Sequence, residues 1–514
     1  MGRAETSGLG SQITLADGPH ETIAVRAPWT GAVIGSIPAG TDADVELAVH
    51  RARAAQTEWS RRTFSERARI FLRFHDLLLE RQDEVLDLIQ WETGKARRHA
   101  FEEILDTAIV TRYYAWRAEG LLRPRRRKGA LPLLTRTLEL KSPVGVVGLI
   151  VPWNYPLNLA VTDAVPALMA GNAVVLKPDV QTSFTACWAV GLLRQAGLPP
   201  DVFGLVTGDG PLLGPAVGDR VDFVMFTGST RTGRLVARQA AERLIGCSLE
   251  LGGKNPMIIL ADADLDRAVY GAIQGCFASA GQVCISIERI YVHQSIAAPF
   301  LDRLAERTRA LKLGVSLDYS VEMGSLTGER QLQHVEEHVR DAVEKGAELV
   351  AGGRRRPDLG PLFYEPTILT SVTDQMRVYA EETFGPVVSV YTFSTEAEAV
   401  ERANATRYGL SASIWTRDPG HGARLGREVR AGNINVNEAY AAAWGSVDAP
   451  CGGRKESGMR ARHGAEGIWK FTETQTVAVQ RLLPVGTPDW MDAALHARWM
   501  TGLMKLLRRI RVLG

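Results

Sequence analysis

Cysteine is scarce in this sequence. The chain of 514 residues contains five cysteines, an odd number, and none of them stands in a Cys-x-x-Cys pair. Scattered thiols do not form the regular frameworks of disulfide-rich secreted domains or the ligand spacing of zinc sites. The sequence therefore excludes a disulfide scaffold, and a reducing, cytoplasmic environment fits it best.

The chain also lacks an excess of either charge. Lys and Arg total 60 against 58 Asp and Glu, a formal net charge of +2. Such a balance produces no overall field that would attract nucleic acid. Residues 1–14 are polar and lack the apolar segment of a signal peptide. We therefore expect no nucleic-acid partner, a ligand held by local contacts and a chain that stays in the cytoplasm.

Long apolar runs are absent as well, with one stretch that could mislead. Residues 143–161 carry no charge and are long enough to span a bilayer. Pro143, Pro152 and Pro156 interrupt this stretch, and Trp153 and Asn154 lie near its centre. Proline breaks helices, so the pattern predicts a buried strand, a loop and then a helix.

Helical periodicity dominates the first quarter of the chain. Apolar residues recur at three and four spacing over residues 42–57, 64–93 and 100–118, which predicts helices there. A basic run at residues 123–129 favours a solvated loop or an oligomer contact, with phosphate or nucleic-acid binding as the alternative. The alternating residues 131–141 after it predict a projecting strand.

From residue 144 short apolar runs alternate with helical segments. Strands are predicted at residues 144–151, 173–176, 202–206, 223–226 and 247–251, with helices near 185–196 and 232–243. Apolar strands separated by helices indicate a parallel, doubly wound α/β sheet whose ligand lies at the carboxyl ends of the strands. Residues 254–440 continue in the same style and predict a second domain.

The last segment, residues 488–514, has the pattern of a basic amphipathic helix. Its apolar residues are Trp490, Met491, Leu495, Trp499, Leu503, Met504, Leu506, Leu507 and Ile510. Its basic residues are Arg498, Lys505, Arg508, Arg509 and Arg511. The pattern is compatible with packing on a neighbouring subunit, packing on the chain's own body, or lying on a membrane.

Two glycine-rich segments and one histidine pair are candidate ligand sites. Residues 208–214 only approximate a dinucleotide fingerprint. Residues 228–233 fit better, because they follow a predicted strand and open a helix whose amides could hold a diphosphate. His334 and His338 match a zinc-protease spacing, but the charged residues around them favour a solvated helix face.

Three further residues have the chemistry of a covalent mechanism. Cys284 stands among small residues and Gln282, as expected for a nucleophile at a helix start, although a buried structural thiol is the simpler interpretation. Glu250 ends an apolar strand, where desolvation would raise its pKa toward that of a general base or an ion pair would hold it. Asn154 offers an amide donor to an oxyanion or a bond that stabilises its turn.

Together these segments resemble the NAD(P)+-dependent aldehyde dehydrogenases, from residue 20 to residue 477. The resemblance rests on Pro152-Trp-Asn-Tyr-Pro156, Lys177-Pro178, Phe226-Thr-Gly-Ser-Thr230 with Gly233, Glu250-Leu-Gly-Gly-Lys-Asn-Pro256, Gly281-Gln-Val-Cys284, Glu382-Thr-Phe-Gly-Pro386, Asn435-Val-Asn437 and Gly452-Gly453 through Ser457-Gly458. Within the family the chain is similar to the actinobacterial succinate-semialdehyde dehydrogenases.

The resemblance implies an α/β fold with two Rossmann-like, doubly wound parallel-sheet domains and a small β oligomerisation element. Residues 1–122 and 142–251 would form the cofactor-binding domain, and residues 252–449 the catalytic domain. Residues 123–141 and 470–481 would supply oligomerisation strands of a homodimer or homotetramer. Residues 488–514 would remain as the basic tail, and no metal is implied.

The resemblance also implies roles for individual residues. Cys284 would be the nucleophile, Asn154 the oxyanion donor and Glu250 the base that hydrolyses the thioester. NAD or NADP would be bound by Trp153, Lys177, Val180, Gly228, Ser229, Gly233, Glu382 and Phe384. Many members that prefer NAD carry a Glu where this chain has Val180, so NADP becomes acceptable.

The substrate implied by the resemblance is a small aldehyde. Its pocket would be lined by Tyr155, Leu159, Thr162, Val283, Ile285, Trp444, Ser446 and Cys451. Thr162 and Ala278 stand where succinate-semialdehyde enzymes place two arginines, and without them a substrate carboxylate loses its strongest partners. An apolar medium-chain or aromatic aldehyde is therefore an alternative substrate, and a coenzyme-A-acylating dehydrogenase is the remaining alternative.

Overall fold

The computed structural model describes residues 8–131, 134–482 and 484–508. Its α-helices are Asp42–Arg61, Phe64–Glu80, Gln82–Thr93, Arg97–Leu122, Pro156–Val161, Ala164–Met169, Ser183–Gln195, Gly210–Gly218, Thr230–Glu242, Leu265–Phe277, Ala297–Arg309, Glu329–Glu344, Arg377–Ala380, Glu396–Asn404, Pro419–Gly426, Ala441–Gly445, Gly464–Trp469 and Ala493–Leu507. Within the described ranges, no helix is both long and apolar enough to cross a membrane.

The first sheet has six strands and contains all five strands predicted from the apolar runs. Their order is Gly458–Met459, Gly246–Glu250, Phe223–Thr227, Val146–Ile150, Ala173–Lys177 and Phe203–Leu205. Neighbours are parallel except at the short edge strand Gly458–Met459, which is antiparallel. The strands are buried because helices cover them, which explains their nearly uninterrupted apolar sequences.

The second sheet has seven strands. Their order is Glu348–Ala351, Thr367–Thr370, Val387–Phe393, Ile287–His293, Asn255–Ile259, Ser411–Trp415 and Asn433–Val436. All neighbours are parallel except the first pair. A separate apolar core packs around this sheet. Two parallel sheets with their own cores confirm the predicted α/β class.

The domain limits expected from the resemblance stay a prediction. Residue 252 falls between Gly246–Glu250 of the first sheet and Asn255–Ile259 of the second. The chain returns to the first sheet at Gly458–Met459, in a segment that those limits left unassigned.

A small antiparallel sheet lies apart from these two. Thr472–Gln480 pairs with Thr135–Pro143, which pairs with Arg125–Arg127. At residues 123–129 the sequence favoured a solvated loop or an oligomer contact, and the resemblance implied an oligomerisation strand. The structure has a strand at Arg125–Arg127, so a loop over the whole run is wrong, because the backbone pairs with the neighbouring strand. The predicted strand at 131–141 begins later, at Thr135, and residues 132–133 lie outside the described residues.

The single helix predicted over residues 64–93 is divided into two helices, Phe64–Glu80 and Gln82–Thr93. The periodicity of residues 64–93 continues across Arg81, where the backbone leaves the helical conformation and starts the next helix. The Arg81 guanidinium bonds to Glu84 in that next helix and to Gln195 in a distant one. A one-residue break does not disturb the apolar spacing, so the sequence pattern cannot detect it. The charge-free stretch, by contrast, forms the expected buried strand Val146–Ile150, loop and helix Pro156–Val161.

Candidate active site

A cavity of about 730 Å³ lies where the two large sheets meet. Most of the residues singled out by the sequence line it, namely Trp153, Asn154, Tyr155, Leu159, Gly228, Ser229, Glu250, Val283, Cys284, Ile285, Glu382, Phe384 and Trp444. Glu250 is the last residue of its strand, Asn154 follows Val146–Ile150, and Gly228 follows Phe223–Thr227. The cavity therefore lies at the carboxyl ends of the parallel strands, where the sequence predicts the ligand.

Cys284 reaches this cavity from the second sheet. The prediction that it starts a helix is wrong, because it lies in a turn just before the strand Ile287–His293. The pKa of its thiol is raised to about 12, chiefly by burial and also by Glu250, while Arg462 opposes the shift. The site therefore disfavours the thiolate, and the group that favours it is the Arg462 guanidinium and not a helix dipole.

Hydrogen bonds from distant segments hold the loop that carries Cys284. Ser279 and Ala280 both adopt the left-handed conformation, with φ of 50° and 54°. The Ser279 N–H donates to His99 Nδ1 at 3.1 Å, and Gln282 Oε1 accepts from the Thr327 N–H at 3.0 Å. Burial lowers the pKa of His99 to about 3, so its ring stays neutral and can accept. The strained loop is held in one conformation.

Hydrogen bonds hold both the side chain and the backbone carbonyl of Asn154. Its Nδ2 donates to the Gln282 carbonyl at 3.0 Å, and its own carbonyl accepts from Lys95 Nζ at 2.6 Å. Lys95 also pairs with Glu103 at 2.7 Å, which accepts from the Leu157 N–H at 2.9 Å. Because a carboxamide nitrogen carries two hydrogens, one N–H of Asn154 stays available in the cavity.

Glu250 has the burial expected of a base. It is 7% exposed, and its Oε1 accepts no hydrogen bond. Burial raises the pKa of this carboxyl to about 7, against the pull of Arg462 and Lys470. Those two cations both pair with buried Asp163 at 2.9 Å. The carboxyl can therefore take and release a proton near neutral pH.

Five of the residues predicted to bind the cofactor line the cavity, namely Trp153, Gly228, Ser229, Glu382 and Phe384, whereas Gly233 does not. Ser229 caps the helix Thr230–Glu242 by accepting from the Thr232 N–H at 3.3 Å. A Cβ on Gly233 would lie 2.5 Å from Leu251 Cδ2, so glycine lets this helix pack against the strand end. The rings of Trp153 and Phe384 meet edge to face at 5.6 Å.

Glu382 closes that part of the cavity. Its Oε1 accepts from the Gly253 N–H at 2.8 Å, and burial raises its pKa to about 8. Lys177 and Val180 do not line the cavity. Lys177 ends the adjacent strand with its Nζ 3.7 Å from the position of a Cβ on Gly210, and half-buried Val180 follows in a short turn.

Three residues predicted to line the substrate pocket do not line it. Thr162 directly follows the helix Pro156–Val161 and is buried, but it is not among the residues that line the cavity. Exposed Ser446 donates to the Ala442 carbonyl at 2.7 Å. Cys451 is buried and pairs through its backbone with Arg462. A residue that stands close in sequence to a lining residue therefore need not line the cavity itself.

The structure adds lining residues that the sequence analysis missed. Glu102 and Asp106 belong to the helix Arg97–Leu122, and Tyr440 directly precedes the helix Ala441–Gly445. Arg462 follows the edge strand Gly458–Met459 of the first sheet. The two acids stand four residues apart, which places them on one helix face. In the sequence, only this spacing could have indicated that the two acids act together, and the same spacing is equally typical of a solvated helix face.

The histidine pair differs from the expected solvated face. His338 lies in the helix Glu329–Glu344 but is fully buried, with its Nδ1 3.1 Å from Thr383 Oγ1. His334 lines the cavity and contacts the Glu382 carbonyl at 3.2 Å. Among the described residues no group of three or more His, Cys, Asp or Glu side chains is arranged to hold a metal ion. The pair supports the loop of Glu382.

Removing the negative charge of Glu250 should make Cys284 more reactive. In Glu250→Gln the thiol loses a neighbour that raises its pKa, so more thiolate is present at pH 8. We expect iodoacetamide to label Cys284 about two- to tenfold faster, as followed by peptide mass spectrometry. The exposed Glu242→Gln is the control. Slower labelling in Glu250→Gln would mean instead that this carboxylate removes the thiol proton.

Comparisons with known proteins agree with this site. The model of the aldehyde dehydrogenase family matches residues 15–477. A Mycolicibacterium smegmatis protein with the provisional name of an NADP(+) succinate-semialdehyde dehydrogenase is 47% identical over 508 residues, 99% of this chain and 98% of its own. An Escherichia coli structure titled as an NADP-dependent enzyme is 35% identical with a TM-score of 0.87, covering 92% of this chain and 99% of its own.

A second solved structure extends the comparison. A betaine aldehyde dehydrogenase from Staphylococcus aureus in complex with NAD+ is 32% identical with a TM-score of 0.89, and the match covers 96% of this chain and 98% of that one. The likeness confirms the predicted fold. Family, fold and relatives together show that this chain belongs to the aldehyde dehydrogenase family and oxidises aldehydes with NAD+ or NADP+.

Proposed function

We propose that the enzyme converts its aldehyde to the carboxylic acid through a thioester on Cys284. The observation that carries this proposal is the meeting of Cys284, Asn154 and Glu250 in one cavity. The Cys284 thiol loses its proton to solvent, the thiolate adds to the carbonyl carbon, and the free Asn154 N–H together with the Cys284 N–H binds the resulting oxyanion. Collapse of the oxyanion would expel the aldehyde hydrogen as a hydride to the oxidised cofactor and leave a thioester. Glu250 then takes a proton from the water that attacks the thioester and passes it to the departing sulfur, which releases the acid and restores the thiol.

The chain's own residues fit a nicotinamide cofactor. Gly228 and the first residues of the helix Thr230–Glu242 line the cavity, so the backbone N–H groups at the start of this helix could bind a diphosphate. One oxygen of Glu382 is held by Gly253, which leaves the other for a ribose hydroxyl. Trp153 and Phe384 offer apolar rings beside it. When bound, NAD(P)+ supplies the acceptor for the hydride that the oxidation releases.

Val180 supports acceptance of NADP+. At this position a carboxylate would accept a hydrogen bond from a ribose hydroxyl and repel a 2′-phosphate. Lys177 is the last residue of the strand that precedes Val180. The name of the Mycolicibacterium relative also includes NADP(+). We therefore infer that this enzyme uses NADP+ at least as well as NAD+.

Two observations bear on the substrate. The relatives' name points to succinic semialdehyde, while Thr162 and Ala278 supply no guanidinium for its carboxylate. An acylating enzyme that uses coenzyme A is not favoured by the comparisons, and the presence of Glu250 as a base agrees with hydrolysis.

We also infer that copies of the chain associate through the small sheet and that the protein acts in the cytoplasm. Within the part of the chain that the structure describes, the strand Thr472–Gln480 lies at the edge of its sheet and is exposed along most of its length, so another chain could extend this sheet. This geometry supports a homodimer or a homotetramer. All five cysteines are unpaired, as expected in a reducing compartment.

The predicted tail of residues 488–514 contains the helix Ala493–Leu507, and residues 509–514 lie outside the described residues. No residue of this helix is buried, so packing on the chain's own body does not account for Trp499, which is 64% exposed. Residues 493–508 contain Arg498, Lys505 and Arg508 and no acidic residue. We propose that this helix lies on an anionic lipid surface.

The two chemical halves of the reaction should separate by mutation. Cys284→Ala should abolish NAD(P)H formation, because no thioester can form. Glu250→Gln should keep a burst of about one NAD(P)H per site in stopped-flow absorbance and then turn over slowly, because only hydrolysis needs the base. The exposed Glu242→Gln should behave as the wild type. Steady turnover by Cys284→Ala would remove the nucleophile from Cys284.

Val180→Glu should shift cofactor choice. A new carboxylate would accept from the ribose and repel the 2′-phosphate, so we expect the ratio of kcat/KM for NAD+ over NADP+ to rise about tenfold. Val180→Gln, which adds an acceptor without charge, should shift the ratio less. An unchanged ratio in both variants would show that residue 180 does not face the ribose.

Truncation after Thr487 tests the tail. Co-sedimentation with vesicles containing phosphatidylglycerol should be lost, while the mass in light scattering and the aldehyde oxidation rate stay the same. Vesicles of phosphatidylcholine alone provide the control for charge. A smaller mass after truncation, with vesicle binding absent in the full chain, would show that the helix binds another subunit instead.

A further inference from the structure

A closed ring of hydrogen bonds joins the loop that carries Asn154 to the loop that precedes the nucleophile. Lys95 Nζ donates to the Asn154 carbonyl at 2.6 Å, and Asn154 Nδ2 donates to the Gln282 carbonyl at 3.0 Å. Gln282 Oε1 accepts from the Thr327 N–H at 3.0 Å, and the Thr327 hydroxyl donates to the Thr93 carbonyl at 2.8 Å. The Lys95 N–H donates to Thr93 Oγ1 at 3.3 Å and closes the ring, which we call the Lys95 ring.

The members of the Lys95 ring are all buried, with exposed fractions between 1% and 7%. Water therefore cannot readily replace a bond that is lost, and a buried polar group without its partner is disfavoured. The position of Asn154 is consequently tied to that of Lys95.

Lys95 uses its charge inside the protein. Besides the Asn154 carbonyl, its Nζ contacts Glu103 Oε1 at 2.7 Å and lies 3.8 Å from the centre of the Tyr155 ring. Lys95 is buried and is not among the residues that line the cavity. It can therefore act on a bound aldehyde only through the groups that it holds.

Glu103, the partner of this ammonium group, fixes the residues that follow Asn154. Its Oε2 accepts from the Leu157 N–H at 2.9 Å and from the Asn158 N–H at 3.2 Å. These two N–H groups lie in the first turn of the helix Pro156–Val161, where the helix itself provides no acceptor. The ion pair therefore fixes the chain both at Asn154 and directly after it.

The main effect of this buried ion pair is on position. Taking two charges out of water costs about as much as their attraction returns, so such a pair adds little net stability. The carboxamide of Asn154 is planar, and one hydrogen of its Nδ2 is bound to the Gln282 carbonyl. The direction of the second hydrogen, which remains for an oxyanion, follows from that bond and from the place of the Asn154 backbone.

We propose that Lys95 is a positioning residue for the oxyanion. By holding the Asn154 carbonyl, it keeps the free Asn154 N–H at hydrogen-bond distance from the oxygen of an aldehyde that has reacted with Cys284. A displaced donor stabilises the developing charge less, and a shift of about 1 Å is enough to slow a reaction strongly. This inference rests on the proposed oxidation at Cys284 and adds to it a residue outside the cavity.

A double-mutant cycle tests this role. With enzyme and NADP+ in excess, stopped-flow absorbance gives the rate of NADPH formation in a single turnover, which does not require thioester hydrolysis. The aldehyde is succinic semialdehyde or hexanal, whichever the wild type oxidises faster. Asn154→Ala should lower this rate about 100- to 1000-fold, because one oxyanion donor is lost. Lys95→Met should lower it about 10- to 100-fold in the wild type but less than about twofold in Asn154→Ala, because it acts through that amide.

Further variants separate folding from positioning. Lys95→Met combined with Glu103→Gln leaves no unpaired buried charge and should show the same loss as Lys95→Met. Thr327→Val opens the Lys95 ring at an uncharged bond and should slow the turnover about threefold, again only where Asn154 is present. It keeps the test available if the Lys95 variants do not fold. Lys345→Met breaks an ion pair at the surface and should have no effect.

Alkylation by iodoacetamide provides a readout that needs no oxyanion. The rate of its reaction with Cys284 should change less than about twofold in Lys95→Met, because Gln282 is still held by the Thr327 N–H. A parallel loss of alkylation and oxidation would show that Lys95 supports the whole loop of the nucleophile, and would overturn its specific role toward Asn154.

The cycle also separates this inference from the proposed function. A wild-type rate in Lys95→Met, or an equal loss with and without Asn154, would overturn the role of Lys95 and leave the oxidation at Cys284 standing. A wild-type rate in Asn154→Ala would instead remove the oxyanion donor from the proposed mechanism, and the role of Lys95 with it.

Discussion

Burial of charge at the junction of the two sheets is the constraint on which this site depends. Glu250, Asp163, Arg462 and Lys470 are all at most 7% exposed, and removal from water disfavours the ionised form of each. The two cations share Asp163, which keeps its pKa low despite burial, whereas Glu250 has no ion-pair partner at hydrogen-bond distance. Its pKa is consequently free to rise toward neutrality, which is the range that proton transfer from water requires.

The same junction sets the geometry of the nucleophile. The Cys284 loop belongs to the second sheet, yet its bonds reach His99 and Thr327, and Asn154 of the first sheet donates to the Gln282 carbonyl within that loop. Because each bond joins a different part of the chain, the loop is fixed only when both sheets are folded together. The oxyanion donor and the sulfur are thus aligned by the fold itself.

The sequence predicted those features that depend on local patterns. Uninterrupted apolar runs identified the strands of the first sheet, and the position of Glu250 at the end of one of them predicted its raised pKa. The helix start at Cys284 was wrong, because the flanking small residues resemble a helix entrance and the following strand is revealed only by pairing. The burial of His338 and the position of Glu102 depend on partners that local spacing does not contain: Thr383 lies 45 residues from His338, and Tyr440 lies 338 residues from Glu102.

Two consecutive glutamates show how directly helix geometry assigns different roles. Glu102 and Glu103 are adjacent in the helix Arg97–Leu122, so their side chains point about 100° apart. Glu103 is fully buried, pairs with Lys95 and accepts from the Leu157 N–H, which ties the loop of Asn154 to the helix. Its charge is therefore neutralised within the protein. Glu102 turns to the cavity, where the hydroxyls of Tyr155 and Tyr440 donate to it and the charge of Lys95 opposes the rise of its pKa. One helix thereby secures the catalytic loop with one carboxylate and presents the next to the cavity, and Lys95 acts on both.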